Sequence, residues 1–451
     1  MNKINSQIFK AYDIRGIYPD ELDEELFYKI AQAYVKIVQP KDKVVVGRDV
    51  RLSSPKLQEA IIKGLIDAGI DVIDIGLCST EMFYFAVGNY QLAGGLQITA
   101  SHNPAEYNGL KLVREQVKPI SSDTGLFEIR DLVIGNKEKI ESNQKGKIER
   151  KEILNDFVRF ALKFIDIEKI KPMKLVYNPN FGFEGEVLKR TVKLGKLPLN
   201  LIGLNEKPDG TFPKGRPDPF VPENRPEFVE LVKSSGADLG VAWDADADRV
   251  FFCTKSGIFV EPYYLNALLI KSIIAKNPGA TVVYDPRYTW ALVDSAKEAG
   301  GKAVEERVGH SFIKERMRKE NAVFCGESSG HCYFRDFWFA DTGLIPLLIV
   351  LELISGKGDL DSLLKQYFEK YFISGEINSE VADQQAKIAE IKQKYSDGQQ
   401  SELDGISVEY PDWRFNVRPS NTEPLLRLNV EAKSKELMGE KRDEILNLIR
   451  K

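Results

Sequence analysis

Short apolar runs that end in glycine or polar loops alternate with segments of helical periodicity over most of the chain. Val44-Val45-Val46-Gly47 reads as a buried strand. Ser53-Ser54-Pro55 then opens a helix, with proline where an early helical position tolerates it. Leu57, Ala60, Ile61, Gly64, Leu65 and Ala68 follow at helical spacing, Gly69 stops the run, and Asp71-Val72-Ile73-Asp74-Ile75 is the next strand. This is a β-α-β unit, and it predicts a largely parallel sheet. A second unit follows, with strands over 174–177 and 238–242 and helices over 184–194 and 227–233; the proline-rich run 208–226 between them reads as an irregular connection. A third has helices over 263–275, 290–299 and 309–320 and strands over 281–284 and 322–325. Beyond residue 358 the pattern changes: helices over 360–370, 382–395 and 436–450 mix with strands over 405–410, 413–417 and 425–430, as in a small α+β domain.

At 451 residues the chain exceeds one ordinary core. Polar, glycine-bearing stretches at 135–146 and 355–358 mark boundaries, and the expected domains are 1–146, 147–253, 254–357 and 358–451. With 43% hydrophobic and 29% charged residues the composition is that of a globular protein. A net charge of -4 gives no global field for nucleic acid, so any anion site must be built locally. No apolar run is long enough to span a bilayer, and the segment 344–353, which contains Pro346, reads as a buried helix. Cys78, Cys253, Cys325 and Cys332 make neither a disulfide framework nor a metal pair, and are expected to be reduced thiols of a cytoplasmic protein.

Chemistry gathers where the strands end. Ser101 lies in Thr99-Ala100-Ser101-His102-Asn103-Pro104, between two extended segments, with His102 and Lys111 close by in sequence. These are also ordinary turn residues, so the loop by itself remains open between turn and site. The strand over 238–242 runs into Asp244-Ala245-Asp246-Ala247-Asp248-Arg249. Three carboxylates at alternate positions share a face in extended backbone, and one hard cation can meet all of them. Mg²⁺ suits such oxygen donors, whereas an EF-hand is excluded because Arg249 and Lys255 stand where it requires glycine and glutamate. A third strand leads into Gly326-Glu327-Ser328-Ser329-Gly330-His331, a set of groups able to hydrogen-bond a polyhydroxy ligand. Finally, Arg418-Pro419-Ser420-Asn421-Thr422-Glu423-Pro424 offers an arginine, hydroxyls and an amide on a short turn, suited to an oxyanion.

Taken in order, these stretches and the opening Lys10-Ala11-Tyr12-Asp13-Ile14-Arg15-Gly16 resemble the α-D-phosphohexomutase family, in particular its bacterial and archaeal phosphomannomutase/phosphoglucomutase branch. The resemblance implies four domains around a central cleft, three of similar α/β mixed-sheet topology and a smaller C-terminal α+β domain. It implies that Ser101 carries a transferable phosphoryl group and that Asp244, Asp246 and Asp248 hold Mg²⁺ together with that serine. Glu327 and Ser329 would read sugar hydroxyls, and Arg418, Ser420, Asn421 and Thr422 would bind the substrate's phosphate. Tyr12, Arg15, His102, Lys111, Arg249, His310 and His331 match positions lining the cleft, with Lys111 and His310 the expected proton-handling groups. The reaction implied is interconversion of hexose 1-phosphate and hexose 6-phosphate through a hexose 1,6-bisphosphate, by a monomer with no nucleic-acid or membrane partner. Phosphoglucosamine mutase is the nearest alternative within the family; a phosphosugar phosphatase and a non-catalytic phosphosugar-binding protein are more distant ones.

Three departures stand out. Ala245 and Ala247 replace glycines common between the aspartates, which is harmless only where φ is negative. Arg287 stands where relatives often have lysine, which limits it to a binding role because a guanidinium does not give up its proton. Ser328 occupies a variable position of the sugar loop, so the preferred hexose stays open.

Overall fold

Four sheets organise the computed structural model, which describes residues 4–140, 142–420 and 425–451. The first has six strands in the order Ile14–Ile17, Tyr107–Arg114, Gly94–Ile98, Val44–Arg48, Val72–Leu77, Ile148–Arg150. Its centre is parallel, as the β-α-β pattern predicts, while Tyr107–Arg114 returns antiparallel beside Gly94–Ile98. The helix Ser54–Asp67 carries its proline in the first turn, where the missing N–H has no intrahelical partner to lose. The helix Glu24–Val38 starts at Asp23, whose carboxylate accepts from Leu26 N. Its apolar face packs with Leu57, Ile61, Leu96 and Leu110 in one continuous core.

The second sheet runs Phe259–Val260, Val250–Thr254, Leu239–Trp243, Met173–Asn178, Leu199–Gly203, again with a parallel centre. The third element group has Thr281–Tyr284 between Lys302–Glu305 and Phe324–Gly326, all parallel. The last sheet is antiparallel and centres on Trp413–Pro419 and Leu425–Ala432, with the helices Gln384–Lys394 and Lys435–Ile449. The predicted helices therefore recur within a few residues, including the buried one that contains Pro346, Leu344–Lys357. The run 208–226 contains only a short 3-10 turn, Pro222–Asn224. Two short strands of the last sheet, Phe372–Ile373 and Ile377–Glu380, carry no readable alternation.

The chain divides into two compact units, residues 1–260 with 330–359, and residues 261–329 with 360–451. No helix among the described residues is long and apolar enough to cross a membrane. All four cysteines are free and buried.

Candidate functional site

Three polar loops leave the carboxyl ends of strands that pair in parallel with a neighbour: after Gly94–Ile98, after Leu239–Trp243 and after Phe324–Gly326. Ligand sites of open α/β sheets lie at such ends. The first two loops meet within the first unit. Ser101 is in the left-handed region at φ 49°, and its amide donates to Thr99 Oγ1 at 2.8 Å. Its Oγ lies 3.2 Å from Asp244 Oδ2 and 3.0 Å from His102 Nδ1. The residue as a whole is only 3% exposed, yet its hydroxyl is turned toward a carboxylate and an imidazole.

Asp244, Asp246 and Asp248 are buried, and one oxygen from each lies within 4.8 Å of the others. Asp246 Oδ1 and Asp248 Oδ1 accept no hydrogen bond among the described residues. Buried carboxylate oxygens without donors are costly, and an all-oxygen set of this kind fits a hard divalent cation. Asp248 also belongs to a second group with His331 and Asp341, whose ligand atoms are equally close; its imidazole makes it the softer set. Burial pushes Asp244 up to about 8, with Asp248 and Asp246 adding to the rise against the pull of Arg249. Asp248, although buried, is held well below the usual carboxylate range by Lys111 and His331.

Cations frame the acids. Lys111 Nζ donates to Asp246 Oδ2 at 2.8 Å and to Asp248 Oδ2 at 2.5 Å. Burial favours its neutral form, but these two carboxylates outweigh that and raise it well above an ordinary lysine. With these partners Lys111 carries a positive charge and serves as a hydrogen-bond donor to both acids. Arg249 donates from Nε to Asp244 Oδ2 at 2.8 Å and pairs through Nη1 with buried Asp218 at 3.3 Å. Arg15 reaches the serine loop, donating to Ala100 O at 2.8 Å and Asn103 Oδ1 at 2.6 Å. Burial, together with Arg249, Arg15 and Arg216, drives the His102 imidazole well below its usual value, so it is neutral. Tyr12 lies half-buried in the bend before Ile14–Ile17. His331 Nε2 approaches Asp248 Oδ1 at 3.5 Å.

The alanine question has a divided answer. Ala245 is not among the positive-φ residues, whereas Ala247 sits at φ 59°, a conformation that costs a non-glycine residue about 1–2 kcal/mol.

The other site residues lie in the second unit. Arg287 makes a two-pronged contact with Asp285, at 2.8 and 2.9 Å, and approaches Glu327 Oε1 at 3.6 Å. Asp285 also accepts from Ser328 N, and Asn266 donates to Glu327 O, so both faces of the Glu327–Ser328 peptide are held at the start of the sugar-loop candidate. Gly326 is required there, since a Cβ would stand 2.2 Å from Asn266 Cγ. Arg418 donates to Glu376 Oε2 at 2.8 Å, and Arg427 to Glu376 Oε1 at 3.0 Å. Although burial opposes it, Arg418, Arg287 and Arg427 hold Glu376 below its ordinary value. Arg418 Nε and Arg427 Nε have no acceptor among the described residues. Ser420 is buried beside Arg427, at 3.5 Å, and Ser329 and His310 are half-buried, the latter opening the helix His310–Glu320. Asn421 and Thr422 lie outside the described residues.

Several partners carry no sequence signal of their own. Thr80 holds Asp246 twice, through its amide to the backbone carbonyl at 2.9 Å and through Oγ1 to Oδ2 at 2.7 Å. Asp285, Glu376 and Arg427 belong to the same class. Each has a partner tens of residues away: Asp285 holds Ser328 N, and Glu376 joins Arg418 and Arg427. Only Asp285, immediately after an apolar strand, follows the strand-end rule that found the others.

Known proteins match this arrangement along nearly the whole chain. The descriptions Phosphoglucomutase/phosphomannomutase, alpha/beta/alpha domains I, II and III, match residues 6–139, 155–257 and 261–371, and the C-terminal domain matches 376–448. "Phosphohexose mutases" of Xanthomonas campestris pv. campestris is 48% identical over 98% of this chain and 99% of its own. An Escherichia coli "Phosphomannomutase" is 44% identical, with 98% and 99% covered. Among solved structures, the phosphoglucomutase/phosphomannomutase family protein of Burkholderia thailandensis superposes with a TM-score of 0.89 at 32% identity, covering 99% of this chain and 97% of its own.

Proposed function

The chain belongs to the phosphoglucomutase/phosphomannomutase family and is a phosphohexomutase, an intramolecular phosphotransferase, and from that premise we propose that it interconverts the 1- and 6-phosphates of mannose, glucose or both, with Ser101 as phosphoryl carrier, a hexose 1,6-bisphosphate as intermediate and activator, and Mg²⁺ at Asp244, Asp246 and Asp248. The observation that carries the reading is the Ser101 hydroxyl 3.2 Å from a buried triad in which, among the described residues, Asp246 Oδ1 has no donor.

In the first half-reaction the bond between phosphorus and Ser101 Oγ breaks and a new one forms to the free sugar hydroxyl; the sugar's proton is released as Oγ takes one up, so Ser101 ends as a neutral hydroxyl. The intermediate turns end for end, Ser101 Oγ then attacks its other phosphate, the bond between that phosphorus and the sugar oxygen breaks, and the proton lost by the serine is balanced by one gained by the sugar hydroxyl. Phosphoryl transfer asks the protein mainly for alignment and charge neutralisation. Bound Mg²⁺ would supply electrostatic stabilisation of the phosphoryl oxygens. Lys111, held protonated, supplies a second positive charge at the same place. Arg249 keeps Asp244 oriented. Neutral His102 has Nδ1 3.0 Å from Oγ, and in the tautomer protonated at Nε2 it would take the serine proton when Oγ attacks. Glu327, Ser329, His331 and Arg287 would read the sugar, and His310 remains a candidate proton donor or acceptor. Arg418 and Ser420, with Asn421 and Thr422, would hold the phosphate that is not transferred, in either orientation of the intermediate; the donor-rich pair Arg418 and Arg427 supports that role. Tyr12 and Arg15 would complete the anion-facing surface of the serine loop.

Replacing the nucleophile tests the reading. Ser101→Ala should abolish conversion of glucose 1-phosphate to glucose 6-phosphate, with Mg²⁺ and glucose 1,6-bisphosphate present and the far-UV spectrum unchanged. Turnover near that of the parent enzyme would refute it. Parallel rates on mannose, glucose and glucosamine phosphates assign the preferred hexose.

A further inference from the structure

Arg51 is a completely buried arginine, with a side chain at 0% exposure. It follows the strand Val44–Arg48, two residues after Asp49, which is itself 2% exposed. All five of its guanidinium donors are used. Nε donates to Asp49 Oδ2 at 3.1 Å. Nη1 donates to Pro104 O at 2.5 Å and Tyr107 O at 3.0 Å, and Nη2 to Ser101 O at 2.8 Å and Asn103 O at 2.6 Å. Four of five bonds thus end on carbonyls of one seven-residue loop, the one that carries the nucleophile.

We infer that Arg51 is a positioning residue for phosphoryl transfer: its planar fork fixes the Ser101 loop in the left-handed backbone turn that directs the hydroxyl at the acidic triad. The inference rests on the reading of Ser101 as the phosphoryl carrier. A guanidinium buried against a single carboxylate is expensive to desolvate, and apolar packing alone would fill the same volume more cheaply. Its geometry matches a task that packing cannot do. Ser101 at φ 49° is in a conformation that a serine adopts only when its surroundings impose it, and the carbonyl of that same residue is one that Arg51 grips. Lysine cannot replace it, because three donors on one nitrogen do not span four carbonyls.

The same residue reaches the segment that precedes the acidic loop. Arg51 forms an isolated backbone bridge with Gly210, where a Cβ would stand 2.2 Å from Val50 O. The buried ring of Phe212 lies 4.9 Å from the Arg51 guanidinium carbon. Six residues further on, Asp218 pairs with Arg249, the partner of Asp244. Arg51 is therefore tied both to the loop that carries the serine and to the segment that buttresses the aspartates.

The test is Arg51→Lys in the full-length enzyme, with Phe212→Leu as a milder second variant. Ser101 phosphate is counted by intact mass after incubation with glucose 1,6-bisphosphate, and kcat is expressed per phosphorylated enzyme. Loss of alignment should lower that kcat about tenfold or more in Arg51→Lys, with KM for glucose 1-phosphate within about twofold. Inorganic phosphate released per turnover should rise, and Phe212→Leu should move the same quantities less. A purely structural role would reduce the folded fraction and leave kcat per phosphorylated molecule unchanged; a value within about twofold of the parent in both variants would overturn the inference. Should Arg51→Lys not fold, the same criterion applied to Phe212→Leu decides. A parent enzyme that never carries phosphate on Ser101 would overturn the reading beneath the inference, and the inference with it.

Discussion

The acidic triad and the arginine cluster of the second unit differ in what they leave unsatisfied. Among the described residues, the buried atoms around Ser101 that lack hydrogen bonds include the carboxylate oxygens Asp246 Oδ1 and Asp248 Oδ1, together with Arg249 Nη2. Around Glu376 they include guanidinium nitrogens, Arg418 Nε and Arg427 Nε. A folded protein rarely leaves buried polar groups unpaired, and each exception calls for an explanation. Orphaned acceptors among three aspartates point to a cation, and orphaned donors on two arginines point to an oxyanion. On the proposed reading the first region would perform the transfer and the second would hold a phosphate; among the described residues it is the orphaned carboxylate oxygens, of Asp246 and Asp248 and not of Glu376, that set them apart.

Substitutions on the two sides should then fail differently. The largest effect is expected at the triad: Asp246→Asn, or chelation of the metal, should cost several kcal/mol of transition-state stabilisation, roughly a thousandfold in kcat. Mg²⁺ should restore the chelated enzyme but not the variant, as a metal titration of initial rates will show. Lys111→Met should cost about a hundredfold in kcat, because it removes the charge facing Asp246 and Asp248. Arg418→Ala should instead raise KM by about ten- to a hundredfold with a smaller change in kcat, in keeping with loss of a charge-assisted contact worth about 1.5–3 kcal/mol. An Arg418 variant that lost kcat alone would erase the proposed division of labour.

A further effect concerns stability. Glu81 accepts from Thr342 Oγ1, Gly343 N and Leu344 N, and faces Glu184. Burial raises Glu81 to about 7 and Glu184 well above the carboxylate range, the latter also through repulsion by Glu81. Raised carboxyl pKa values mean that the folded chain holds protons the unfolded chain has released. Their contribution is complete below the unfolded values near 4.5 and is lost as pH rises toward and through 7. Glu184→Gln should flatten that decline, raising the melting temperature at pH 8 by about 2 °C while leaving it unchanged at pH 5. The smallest effect is expected from Ala247→Gly, where relief of the left-handed strain is offset by the flexibility glycine adds to the unfolded chain. Thermal denaturation should place it within about 1 kcal/mol of the parent.

Much of this was legible in the sequence because the chemistry sits where periodicity stops. Ser101, Asp244 and Glu327 each follow an apolar strand, and a loop after a strand is visible without knowing what lies opposite. The helices were legible for the same reason, their apolar spacing and proline or glycine punctuation being local. What escaped is what depends on distant partners. Arg51 reads as one charged residue before a helix; only the fold brings it under the carbonyls of residues 101–107. Thr80 gains its importance from Asp246, 166 residues away. Glu376 looks like a surface acid until Arg418 and Arg427 converge on it. The short strands Phe372–Ile373 and Ile377–Glu380 owe their conformation to Leu425–Ala432 rather than to their own composition. Ala247 shows the reverse case, a departure noticed in sequence whose cost could be judged only from its φ.

The central claim is tested most directly by following one phosphoryl group. Enzyme bearing isotopically labelled phosphate on Ser101 is mixed with an equimolar amount of unlabelled glucose 1-phosphate and quenched during the first turnover. The account predicts that the label leaves the serine, appears in glucose 1,6-bisphosphate and then in glucose 6-phosphate, and is replaced on Ser101 by the sugar's original phosphate. Label that stays on the serine while glucose 6-phosphate accumulates would contradict it.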